Sequence, residues 1–395
     1  MAIIRTQIIV VGGGMVGLAF ATAMAKHGRD VVVIEKQARS GAMPDGPTLR
    51  VSALNHAVRN WLQELGAWER IPAQKCGDYQ GMHVWEHDSF GHIHFSANDA
   101  DLKDLGTIIE NAVVEAALWQ SAEAAGVRLL SDVSFTAPEY HDHDVSVQLS
   151  NNDVVIGQLL IAADGGQSSL RGISGTPVHH RDYEQDGVVC TIESSEPHQG
   201  IARQVFLGDG PLALLPMADP HQCSIVWSTP KSKAQDLLAL SDEDFNQQLT
   251  AAADGQLGVL KVVSKRVSFP LTMRYAEDWI YGRQVLMGDA AHTIHPLAGQ
   301  GANLGFGDAY VLADRLRGLG TLNGQWDHNE LMRALRGYQR ARKAAALRHI
   351  AVMEGFHQLF TKTNPLIRFT RAAGLAITQE INPLKDFFLH QANRF

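Results

Sequence analysis

The chain has 395 residues, enough for two or three domains around substantial cores. Its 45% hydrophobic and 19% charged residues are the balance of a soluble globular protein, and a net charge of −8 argues against a broad nucleic-acid surface. Three cysteines (Cys76, Cys190, Cys223) without metal or redox spacing point to a reducing compartment, and no segment approaches the ~18–20 apolar residues of a membrane span, so a cytoplasmic protein is expected.

The N-terminus has the outline of a secretory leader: Arg5 precedes the apolar Ile8-Ile-Val-Val11, and Ala23-Met-Ala25 resembles a cleavage site. Gly12-Gly-Gly14 interrupts the apolar run, and a strand–turn–helix accounts for it better. Residues 7–11 read as a strand, 12–17 as a turn, 18–27 as a helix closed by Gly28, and 31–34 as a second strand ending in Glu35. Gly12, Gly14 and Gly17 stand in G-x-G-x-x-G register, which allows a tight turn, close approach of a pyrophosphate and close helix–strand packing. An acid at Glu35 suits the two ribose hydroxyls of an adenosine and disfavours a 2′-phosphate.

A Gly/Pro-rich loop covers 39–48, followed by Leu49-Arg-Val-Ser-Ala-Leu54 and a helix through Trp61 to Leu65, which puts Arg50 at a loop-to-helix transition. Residues 78–96 alternate loosely and are expected to leave the first domain as antiparallel strands. His83, His87, His92 and His94 fall there; without acidic or cysteine partners at ligand spacing they read as solvated strand histidines, and no metal site is expected. Residues 108–125 read as an Ala-rich helix capped by Gly126, and 127–130, 145–149 and 154–163 as strands. The last ends in Ala163-Asp-Gly-Gly-Gln-Ser-Ser-Leu-Arg171, a carboxylate and glycines at a strand's carboxyl end. From about 176 to 268 the texture changes to short alternating strands (187–192, 202–207, 212–216, 222–228) around one polar helix at 241–252.

The apolar strand 284–287 runs into Gly288-Asp-Ala-Ala-His-Thr-Ile-His-Pro-Leu-Ala-Gly-Gln-Gly-Ala-Asn-Leu-Gly-Phe-Gly-Asp308, ahead of a helical pattern at 309–316. A strand end, a glycine-rich turn and a helix N-terminus present backbone N–H groups and a positive dipole end. One carboxylate there suits a polyol hydroxyl, and bare backbone suits a flat, electron-poor ring. From 330 on the chain reads as helical, with Tyr338, Leu347, Ile350, Met353 and Phe356 at helical spacing. Residues 331–395 hold eleven Lys/Arg against three acids, so the tail carries +8 and the remainder −16. Leu359, Phe360, Leu366, Ile367, Phe369, Phe387 and Phe388 accompany this charge. A solvated basic helix and a membrane- or partner-docking face both fit that composition.

Gly12-x-Gly-x-x-Gly17, Asp164-Gly165 and Gly288-Asp289, in that order, resemble the class A flavoprotein monooxygenases. Leu49-Arg-Val-Ser-Ala-Leu54, Ile109-Glu-Asn111 and the long motif from Gly288 narrow the likeness to the aromatic hydroxylases of ubiquinone biosynthesis, over essentially the whole chain. The resemblance implies an α/β fold: a Rossmann-like FAD-binding domain of the GR2/hydroxylase type (1–75, 98–175 and 270–330), an inserted, mainly antiparallel β-sheet substrate domain (76–97 and 176–269) and a helical C-terminal region (331–395).

It also implies a set of site residues. Gly12, Gly14 and Gly17 would face the FAD pyrophosphate, Glu35 the adenosine ribose and Asp289 the ribitol. Gly301, Ala302 and Asn303 would face the flavin pyrimidine edge through their backbone, and Gly299 is a further cofactor-binding residue. Asp164 belongs to a motif associated with both FAD and NAD(P)H, and Arg50 would lie near the isoalloxazine. In such enzymes NADPH or NADH reduces FAD and leaves, and reduced flavin with O2 gives a C4a-hydroperoxide that hydroxylates an electron-rich phenol. The cofactor carries the hard chemistry, so no nucleophile–base pair is expected; His292, His295 and Arg50 are the candidates for a proton relay or flavin contact.

The implied substrate is a polyprenyl phenol. The implied setting is peripheral, at the inner membrane or in a ubiquinone-biosynthesis complex, with room for a homo-oligomer. Two other readings stay open: a soluble aromatic-acid hydroxylase of the same fold, using a cation such as Arg203 or Arg181, and a non-catalytic FAD-binding partner. A flavin halogenase is disfavoured because no tryptophan makes a W-x-W-x-I-P pattern.

Overall fold

A computed structural model describes residues 1–294 and 301–361. Four-residue runs of Ile, Val, Leu and Ala with no polar alternation belong in a sheet buried on both faces. Ile8–Val11, Val31–Ile34 and Leu159–Ala162 are fully buried and occupy the middle of a six-stranded sheet. Its order in space is Ile280–Tyr281, Gln284–Leu286, Leu159–Ala162, Ile8–Val11, Val31–Ile34, Arg128–Leu130, parallel throughout except at the edge strand Ile280–Tyr281. The register sets Leu286, Ala162, Val11 and Ile34 in one row, so four successive strands end together. Helices Met15–Lys26, Asn111–Ala124 and Gly301–Arg317 join this sheet in the larger core.

A nine-stranded, mainly antiparallel sheet forms a second layer, from His92–Ser96 and Gly81–Glu86 through Ile201–Leu207, Gly210–Pro216, Gln222–Pro230, Val178–Ser194 and Val267–Ala276 to His292–Thr293. Leu260–Val262 pairs beside Val178–Ser194. Trp85, Val188, Ile225 and Trp227 on one face pack against Leu237 and Phe245 of the helices Lys231–Ala239 and Asp242–Ala252. Ser241 caps the second helix by accepting from the Asp244 N–H, as its place before an acidic first turn leads one to expect.

Several stretches differ from the sequence reading: a helix Lys231–Ala239 stands beside the one polar helix expected, and the helix read from 309 begins at Gly301. Gly106–Glu110 is a strand between Val51–Leu54 and Gly77–Tyr79, and the helix starts only at Asn111. Two flanking strands claim the β-branched Thr107, Ile108 and Ile109, which outweighs the helical pattern after them. Arg50 therefore precedes a strand, not a helix. The expected strand 154–163 is two: Val154–Gly157 joins a four-stranded side sheet, and Leu159–Ala162 enters the parallel sheet. An ideal Cβ at Gly157 would stand 2.7 Å from the Ile9 side chain, so the chain passes between the sheets where a side chain has no room.

His83 lies opposite His94 across Gly81–Glu86 and His92–Ser96 and stacks on Trp85 at 4.8 Å. Burial and the neighbouring His94 push its pKa down to about 4. Among the described residues no group of His, Cys, Asp or Glu is arranged to hold a metal, and no helix is long and apolar enough to cross a membrane.

The helix His328–Thr361 straps both layers. Tyr338 donates to the Leu286 carbonyl at 3.0 Å, Gln339 accepts from the Trp279 N–H at 2.9 Å, and Glu354 pairs with Arg181 of the second sheet.

Candidate active site

The strand ends aligned at Leu286, Ala162, Val11 and Ile34 carry Gly288-Asp289, Asp164-Gly165, the glycine turn and Glu35 to one edge of the parallel sheet. Gly12 has φ +110°, and an ideal Cβ there would lie 2.2 Å from the Ala163 carbonyl oxygen. At Gly17 the Cβ would meet the Gly12 carbonyl at 2.1 Å. These two glycines are needed by the protein's own packing. Gly14 differs: an added Cβ would meet nothing closer than Glu115 Oε1 at 3.9 Å, so this glycine keeps an outer surface open. It caps Met15–Lys26, whose first turn has no capping side chain and no acid. The positive end of that helix is bare, which suits a phosphate.

Glu35 is buried, and one oxygen accepts from the Gly13 N–H at 2.7 Å and the other from the Gln37 N–H at 2.8 Å. Each oxygen keeps acceptor capacity for a hydroxyl. Arg39 lies 3.8 Å away and is engaged by Glu115. Asp164 Oδ2 accepts from Ser169 N–H at 2.8 Å and Leu170 N–H at 3.3 Å, while Oδ1 is buried without a partner. An orphaned acceptor of this kind calls for a donor from a bound group.

Arg171 joins two of the motifs. Its guanidinium donates to the Gly166 carbonyl at 2.8 Å and to the Ala290 carbonyl at 2.9 Å, tying the turn after Asp164 to the turn after Asp289. Burial and the nearby Arg274 lower its pKa, with Asp164 opposing. The sequence offered only its spacing; what it ties together appears in the fold.

Asp289 is exposed, yet the protein around it strips enough water to raise its carboxyl pKa, against the pull of His292 and Arg50. Among the described residues no hydrogen bond is drawn to its carboxylate, and the exposed Arg50 is close enough to act on it electrostatically.

Glu110 and Asn111, which sequence reasoning left without contacts, secure the segment carrying Arg50. Glu110 accepts from the Thr48 hydroxyl at 2.7 Å and from the Thr48 N–H, and pairs with Lys75 at 3.3 Å. Asn111 donates its N–H to the Arg50 carbonyl at 2.8 Å and accepts from the Ser52 hydroxyl at 2.7 Å. Asn303 spends its side chain on the same segment, donating to the Ala53 carbonyl at 2.8 Å and accepting from the Asn55 N–H at 3.1 Å. The backbone at Gly301 and Ala302 is left half-buried at the first turn of its helix.

His292 is buried and bonded to Asp308 at 2.6 Å, facing inward and not into the cleft. His295 and Gly299 lie outside the described residues.

A family profile described as "FAD binding domain" matches residues 5–350. The chain is 34% identical over 382 residues to the 3-demethoxyubiquinol 3-hydroxylase of Escherichia coli, covering 96% of each. It is 30% identical over 439 residues to the human mitochondrial ubiquinone biosynthesis monooxygenase COQ6, covering 98% of this chain and 92% of that one. The chain belongs to the FAD-dependent monooxygenases, in the branch of the ubiquinone-biosynthesis hydroxylases.

In fold it is similar to p-nitrophenol 4-monooxygenase PnpA of Pseudomonas putida, with TM-score 0.79, 17% identity and coverage of 100% and 99%. It is likewise similar to PqsL of Pseudomonas aeruginosa, with TM-score 0.77, 20% identity and coverage of 95% and 100%. As a member of this family it is an enzyme that uses FAD, with NAD(P)H and O2 as the class does. The open face of Gly14, the bare helix end, the orphaned Asp164 oxygen and the unengaged Asp289 fit that cofactor.

The Arg171 bridge is testable. Arg171→Met leaves two carbonyls in the motif turns without their donor and should destabilise the protein by about 2–4 kcal/mol in denaturant unfolding. A change below about 0.5 kcal/mol would show that the turns hold together without it.

Proposed function

We propose that this enzyme hydroxylates the aromatic ring of a polyprenylated phenol or quinone precursor in ubiquinone biosynthesis. The observation that carries the proposal is the convergence of four motif-bearing strand ends on one edge of the parallel sheet, in a chain of this family. In this reading the Gly12–Gly17 turn and the helix behind it take the pyrophosphate, Glu35 the adenosine ribose, Asp289 the ribitol, and the backbone at Gly301, Ala302 and Asn303 the flavin ring edge. Bound FAD supplies oxygen activation once NAD(P)H has reduced it. The protein's own residues bind, orient and keep water out. Arg50, held by Glu110 and Asn111, places a cation beside the flavin site, and the nine-stranded sheet supplies the substrate side.

Of the alternatives, the soluble aromatic-acid hydroxylase needs a cation for the substrate carboxylate. Arg181 is paired with Glu354, and Arg203 is buried and donates to the His198 and Ile201 carbonyls. Arg181 is committed to a carboxylate, and Arg203 is committed through one nitrogen to two carbonyls while its Nε is buried without a partner, which weighs toward the polyprenyl substrate. An isoprenoid tail leaves a bilayer at a cost of about 0.8 kcal/mol per CH₂, so the enzyme goes to the lipid. The basic, apolar tail at 362–395, outside the described residues, is the segment we assign to that docking, each basic residue contributing about 1 kcal/mol near an anionic surface.

Removing the protein from its cells should make a quinone precursor lacking one ring hydroxyl accumulate, as read by mass spectrometry; an unchanged quinone profile would overturn the pathway assignment. Replacing Asp289 by alanine removes a charge-assisted hydrogen bond, about 1.5–3 kcal/mol, so FAD affinity should fall roughly 10- to 150-fold. A purified Asp289→Ala protein with full yellow flavin absorbance would dismiss the ribitol role. Deleting 360–395, or reversing Arg368 and Arg371 to Glu, should abolish flotation with anionic liposomes while FAD stays bound. Wild type that never floats counts against membrane docking.

A further inference from the structure

Beneath the Gly288-Asp289 turn lies a buried ion cluster that no step above uses. Asp308, with no exposed surface, accepts from the Gly288 N–H at 3.0 Å, bonds His292 Nε2 at 2.6 Å and accepts from Arg342 Nε at 2.7 Å. Arg342, itself buried, also donates to the Leu304 carbonyl at 3.0 Å in the first turn of Gly301–Arg317. An ideal Cβ at Gly307 would come within 2.6 Å of the Arg342 guanidinium, so that glycine makes its room. Trp279 lies 5.2 Å from the His292 ring and backs the cluster. Burial alone would raise the Asp308 pKa, but His292 and Arg342 together bring it below the ordinary range, so the carboxylate is charged.

A buried carboxylate is tolerated only when well paired, and apolar packing would have stabilised the fold at lower cost. What this one grips is informative. The Gly288 N–H belongs to a residue at φ +61°, in the turn that aims Asp289. The Leu304 carbonyl belongs to the helix turn that begins at Gly301. One carboxylate and one guanidinium thus set two pieces of the cofactor cleft relative to each other.

We propose that Asp308 is a positioning residue for the FAD site: it fixes the Gly288 amide, and with it the direction of the Asp289 carboxylate, while Arg342 of the C-terminal helix supplies its counter-charge and holds the helix turn after Gly301. The inference rests on the reading that Asp289 holds the ribitol.

The test uses full-length protein stripped of FAD. Wild type, Asp308→Asn, Arg342→Met, Arg342→Lys and Asp289→Ala are titrated with FAD by flavin fluorescence quenching. The visible circular dichroism of the bound flavin and the melting temperature of the apoprotein are recorded alongside. Asp308→Asn and Arg342→Met should raise the Kd about tenfold or more and alter the visible dichroism, as loss of a charged hydrogen bond predicts. Arg342→Lys, which keeps the charge, should recover most of both. Variants that melt lower yet bind FAD with wild-type Kd and dichroism would reduce the cluster to fold stability and overturn the proposal. Should Asp308→Asn or Arg342→Met fail to fold, His292→Phe, which removes the ring donor and keeps the ring, decides by the same two readouts. Wild-type affinity in Asp289→Ala removes the ribitol reading and this proposal with it. Weak binding in Asp289→Ala beside unchanged Asp308 variants removes the positioning role alone.

Discussion

The backbone of Gly12 lies where no side chain fits, against the carbonyl of Ala163, and much of the site follows from that contact. It requires Ile8–Val11 and Leu159–Ala162 to be neighbours in the sheet. Their register then brings the glycine turn and Asp164 together, with Leu286 one strand further on. A parallel sheet sends all its carboxyl ends to one side, so motifs more than a hundred residues apart in the chain share one edge. The close approach leaves the helix end at Gly14 facing outward with its amides unspent.

Around that edge the protein uses charges sparingly and pairs nearly all of them. Arg171 is consumed by two carbonyls, Arg39 by Glu115, Glu110 by Thr48 and Lys75, and Asp308 by His292 and Arg342. Asp289 and one oxygen of Asp164 stand apart from this economy. Polar groups left over inside an otherwise satisfied network are the mark of a site completed by something bound.

The helix His328–Thr361 shows how a segment remote from the motifs enters the site. Its early turns reach the parallel sheet through Tyr338 and Asp308 of the helix Gly301–Arg317 through Arg342, and its later turns reach the antiparallel sheet through Glu354. Arg342 was one of eleven basic residues in a tail read for its charge. Its buried partners Asp308 and the Leu304 carbonyl, 34 and 38 residues earlier, made it different.

Local rules carried the sequence a long way. The βαβ unit around Gly12, Gly14, Gly17 and Glu35, the strand–turn–helix at Gly288 and the alternating strands after residue 176 were legible because period, glycine spacing and capping act within a few residues. The same rules misjudged Gly106–Glu110 and the run 154–163, where strand partners distant in sequence decided the outcome. By itself the sequence determined the fold class and the cofactor class, since those are set by short motifs. The tertiary structure alone decided which charges are spent on the scaffold and which stay free for a ligand. A buried ion pair such as Asp308–Arg342, or a bridge such as Arg171 to Ala290, exists only after folding has brought its members within hydrogen-bonding reach.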